Sequence, residues 1–198
     1  SGFTSAGDSG YVEVQTGDAT DGTAGYIELD VGNGNCGAGG DVEIFAGSTR
    51  GADSDTTGGS IRFFSGYSTE WTSGPITLET ANAGVLGMSG ALDFTTGTAS
   101  EGNAGQIGVT TGRSIDNGRG GDIIHQVGRG DAYAGGEILL TAGESTTSSQ
   151  AGGSVTITAG HGSESKNNAD GGAVELFGGQ ASGGEPDTDA GGDILLEA

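Results

Sequence analysis

Glu13, Glu28 and Glu43 follow one another at intervals of 15 residues. Carboxylates are hard oxygen ligands, and calcium is the divalent cation such a set would take. If equivalent residues of successive repeats lie about 4.8 Å apart, as neighbouring strands do, three like charges repel. Protonation, water or a bound cation must then relieve them. The alternative is a solvated acidic face, and Arg62 continues the column with the opposite charge. The intervening segments add Asp18, Asp21, Asp30, Asp53 and Asp55, but none forms the Gly-Gly-x-Gly-x-Asp repeat of a calcium roll. The chain requires no cofactor on this reading, with calcium as the one ion to consider.

Catalytic chemistry finds little support. His125 takes a slot that is apolar in other repeats and is expected as a buried, hydrogen-bonded residue; His161 is remote from it in sequence. Cys36, the single cysteine, is expected as a small buried or loop thiol and has no intrachain partner. Arg113, Arg119 and Arg129 lie in two neighbouring loops beside Asp116 and Asp131, where charge pairing between loops accounts for them. Arg129-Gly130-Asp131 reads as chance in a chain rich in Gly and Asp, and no Asn-x-Ser/Thr acceptor is present. Nothing here composes a nucleophile–base constellation, so an enzyme is not expected.

The aromatic residues suggest contact rather than catalysis. Tyr11 and Tyr26 occupy one outward column, Phe45 and Phe64 another. Outward aromatics either support one another locally or meet a neighbouring chain. Trp71, within Tyr67-Ser68-Thr69-Glu70-Trp71-Thr72-Ser73, either packs under its own loop or serves as an interface anchor or sugar platform. Thr95, Thr110, Thr141 and Thr158 form a further column. Within the strand motifs a Thr-x-Thr pair occurs in one strand only, Thr156/Thr158, which argues against an ice-binding face.

What must position these residues is a motif that recurs twelve times: Gly, any residue, Val/Ile/Leu, any residue, then a second, usually apolar residue. The leading glycines are Gly10, Gly25, Gly40, Gly59, Gly74, Gly90, Gly105, Gly121, Gly136, Gly153, Gly172 and Gly192, spaced 15 to 20 residues apart. Pairs such as Val12/Val14, Ile27/Leu29, Val42/Ile44 and Ile138/Leu140 have strand period with one face apolar. Small residues bracket each segment, consistent with backbone corners or close chain approach. The returns are rich in Gly, Ser, Asp, Asn and Thr and are long enough to bring the chain back beside its previous strand. The expectation is an all-β parallel β-solenoid (β-helix) of about twelve coils with a basic period of 15–16 residues. Residues 1–198 would form one repeat array with neither linker nor second domain.

Composition fits an extended array better than a layered domain. Glycine accounts for 45 of 198 residues, and the apolar fraction is 32%. Globular domains usually reach about 45–50%, on a count that includes glycine. A stacked repeat needs less, because each unit covers its few apolar residues against the next. The net charge is −21, from 27 acidic and six basic residues, among which Lys166 is the only lysine. Nucleic acid and anionic membranes would be repelled, and no apolar run is long enough to span a bilayer.

Segments such as Gly152-Gly153-Ser154-Val155-Thr156-Ile157-Thr158-Ala159-Gly160 resemble the Gly/Ser/Thr-rich repeats of long secreted and cell-surface β-solenoid proteins. The resemblance covers almost the whole chain but lies in repeat style. It implies an extracellular or cell-surface location and a structural or adhesive role, and it carries over no catalytic residue. The repeats begin at Ser1-Gly2-Phe3 and stop at Ile194 and Leu196 without a polar capping unit. Uncapped edges are expected to join a longer array or to be covered by other copies. The expected function is therefore a building block of an extracellular filament, appendage or matrix, assembling with itself end to end. The alternative is an adhesin, or a glycan- or cation-binding rod, acting through its return loops.

Overall fold

The structure, a computed structural model, describes residues 7–50, 56–132, 134–163, 169–182 and 191–197. Asp53, Asp55, Lys166 and the first residues, Ser1-Gly2-Phe3, lie outside them. The described residues contain no helix and no strand. The expected β-solenoid, or β-helix, is therefore corrected: the chain is mostly irregular coil, organised as short segments joined by closed loops.

The loop closures account for the difference. In a parallel coil, a strand starts above the start of its predecessor, about 20 Å from that predecessor's end for six residues. Here five segments start bonded to the end of the one before. The Gly59 amide donates to the Gly47 carbonyl at 2.8 Å, and the Gly74 amide to Gly66 at 2.9 Å. The same bond joins Gly153 to Gly143 at 2.8 Å, Gly172 to Gly160 at 2.9 Å and Gly192 to Gly179 at 2.8 Å. Two further backbone bonds close turns, Gly87 to Gly84 at 3.2 Å and Gln150 to Thr147 at 3.4 Å. Among the described residues no neck bond is followed by the second and third that would extend it into a ladder. Folded domains make roughly one hydrogen bond per residue, far more than these.

The chain divides into two units, Ser1–Gly97 and Thr98–Ala198. In the first, the necks at Gly47/Gly59 and Gly66/Gly74 are joined by a side-chain closure, in which the Thr16 hydroxyl donates to the Gly25 carbonyl at 3.2 Å. A Cβ placed on Gly40 would stand 2.7 Å from Cγ1 of Val31, so a larger residue there would have to displace the valine side chain. The second unit repeats the arrangement: a Cβ on Gly136 would stand 2.8 Å from Cγ1 of Val127. Close chain approach, one of two roles expected for the bracketing glycines, is thus observed at equivalent places in both units.

The amphipathic pattern survives only as partial cover. Ile61 is 48% exposed and the off-phase Phe64 85%; Ile123 is 49% exposed and its neighbour Ile124 78%. No described residue is buried, hydrophobic or polar. The accessible surface is 20138 Å²; a compact protein of this mass would expose about 8,400 Å². Ordering a residue costs about 1–2 kcal/mol in backbone entropy, and glycine loses the most freedom of all. Half-covered valines and isoleucines do not offset that cost over whole segments, and the backbone bonds among the described residues are confined to necks and turns. No helix among the described residues is long and apolar enough to cross a membrane.

Candidate functional site

Among the described residues, the most highly organised loop runs from Gly66 to Gly74. Its neck is the 2.9 Å backbone bond between those two glycines, the closest in sequence of the five backbone-bonded necks. Within it the Ser68 hydroxyl accepts the Trp71 amide at 2.9 Å and, more loosely, the Glu70 amide at 3.4 Å. Serine favours such local bonds to backbone amides one turn ahead, and the chain bends at residues 69–71 accordingly. The result holds Tyr67 and Trp71 on one short loop, 84% and 85% exposed, with Glu70 beside Trp71 in sequence. Trp71 does not pack under its loop. Ser68 escaped notice in the sequence; its signal is a serine two and three residues ahead of the amides it accepts.

The other expected contact residues, Tyr11, Tyr26, Phe45, Phe64, Ile194 and Leu196, are also exposed. With no strand ladder among the described residues, their columns have no sheet to hold them in line. Glu13, Glu28 and Glu43 are likewise exposed, on three separate segments. Among the described residues no group of three or more His, Cys, Asp or Glu side chains is placed to hold a metal ion.

His125 and Cys36 are exposed, against the expectation of burial for the histidine. Arg119 pairs with Asp122, three residues on in the same stretch of chain. The loop-to-loop pairing expected with Asp116 or Asp131 is not formed, and both partners of the observed pair are well exposed. Asp122 was missed because it sits in the segment rather than in a return; the i, i+3 spacing from Arg119 was its signal. No enclosed pocket is found among the described residues. No family model, curated protein or solved structure matches the chain.

Proposed function

We propose that this protein is a building block of an extracellular filament, appendage or matrix, and that it assembles with copies of itself. The observation that carries this reading is the repetition of apolar pairs that the chain leaves uncovered. Ile27, Ile76, Ile107, Ile138 and Val174 are all between 51% and 58% exposed, one in each of five repeats. A second copy presents the same side chains at the same intervals, so pairing of one repeat places the others opposite matching partners. Burying such side chains contributes about 25 cal/mol per Å² of apolar surface, repeated along the chain. Association of this kind orders the segments as it covers them. The resemblance of the Gly/Ser/Thr-rich segments to secreted and cell-surface proteins supports the extracellular setting.

The test is sedimentation of the full chain across a concentration series, with electron microscopy of the native material. Mass that grows with concentration, together with elongated assemblies, is the expected result. A native protein that stays monomeric at high concentration and shows no assembled material overturns the reading.

A further inference from the structure

The loop 67–73 differs in kind from the other backbone-closed returns. Of the five necks among the described residues, its two glycines are the nearest in sequence, eight residues apart; the others are separated by 10 to 13. The described residues of the longer loops contain no Phe, Tyr or Trp, whereas this one holds Tyr67 and Trp71, the only tryptophan of the chain. Ser68 fixes the backbone of Trp71 directly. A short, internally bonded loop loses less freedom when a ligand settles on it than a long open one does.

We infer that this loop is a binding site for a neutral, equatorially substituted polysaccharide such as a β-linked glucan, an activity separate from self-assembly. Three features select that ligand. Exposed indole and phenol rings offer flat apolar faces with polar tips, complementary to a pyranose ring that has C–H groups on its faces and hydroxyls on its rim. Glu70 contributes a carboxylate that accepts hydrogen bonds from sugar hydroxyls, and Thr69 and Thr72 contribute hydroxyls that both donate and accept. The net charge of −21 opposes anionic polymers and leaves neutral ones unaffected. An open platform also suits a polymer laid across it.

The full chain reports on this site without a label, because all indole fluorescence comes from Trp71. Titration with cellohexaose should shift that emission saturably, and electrophoresis through a gel containing a soluble neutral β-glucan should retard the protein. Trp71→Ala should weaken retardation at least tenfold and Tyr67→Ala several-fold, while Phe64→Ala, an equally exposed aromatic outside the loop, should behave as the parent does. An oligogalacturonate, carrying a carboxylate on each sugar, should give no shift. Absence of both shift and retardation overturns the inference. So does equal loss with Phe64→Ala, which would show general apolar adhesion. An emission that follows protein concentration and ignores cellohexaose overturns it too, assigning Trp71 to contacts between copies. Presence or loss of glucan binding leaves the sedimentation test of assembly undecided.

Discussion

Gly162 shows how much depends on single atoms in a chain with so little cover. A Cβ at that position would lie 2.6 Å from the Asp170 carbonyl oxygen and 2.7 Å from that of Ala169. Backbone oxygens cannot swing aside as a side chain does, so Gly162→Ala must force the loop apart. The bond most affected is the one from the Gly172 amide to Gly160, two residues from each side of that contact. An exposed hydrogen bond is worth about 1 kcal/mol, so the Gly172 amide should exchange with solvent roughly five- to tenfold faster in the variant. Amide-resolved hydrogen exchange measures this, and an unchanged rate would show that the neck does not depend on that approach. Ser68→Ala acts on the same scale. Losing the acceptor for the Trp71 amide should lower the fluorescence anisotropy of Trp71 and weaken cellohexaose binding several-fold, although no atom of the indole is altered.

The loops and segments of this chain were legible in different degrees. The positions of the loops were visible, because the glycines that punctuate the sequence are those that form the necks: Gly59, Gly74, Gly153, Gly172 and Gly192. The alternation along each segment was visible too, and it persists in the contrast between Ile61 and Phe64. The direction in which each return leads was not. A polar return with no apolar face satisfies the same pattern whether it travels back to stack on its predecessor or closes on itself. That choice is made by one backbone bond, which leaves no mark in periodicity. At the candidate site, the tyrosine and tryptophan were visible, but the fate of Trp71 turned on a single serine hydroxyl. An expectation at this scale follows from the spread of neck lengths. Since closure costs only about 0.6 kcal/mol more for each doubling of loop length, inserting a Gly-Ser tract of about ten residues after Ser148 should leave the Gly153 amide protected to within threefold. Exchange of that amide is again the measurement. Protection lost altogether would mean that the loop interior, rather than the neck, holds the closure.

At the scale of the whole molecule, charge opposes what the apolar pairs favour. Copies that each carry −21 repel over a screening distance of about 30 Å in 0.01 M salt and about 8 Å at 0.15 M. Assembly should therefore accelerate by at least tenfold across that range, as followed by light scattering. Lowering the pH works in the same direction: carboxylates take up protons, negative charge falls, and repulsion disappears near the isoelectric point of about 4.1. The assembly rate should peak there and fall on either side; a rate indifferent to both salt and pH would show that contacts form without the long-range barrier.

The closed necks also bear on how the chain responds to tension. Each is a single backbone bond placed across the mouth of a loop, so a pull along the chain loads these bonds in series, and each releases on its own. Opening one frees 8 to 13 residues of hidden contour, which at ~3.4 Å per residue lengthens the molecule by about 25–45 Å. Such a strand would stretch in small, weak, reversible steps, yielding under load and shortening again once the load is removed.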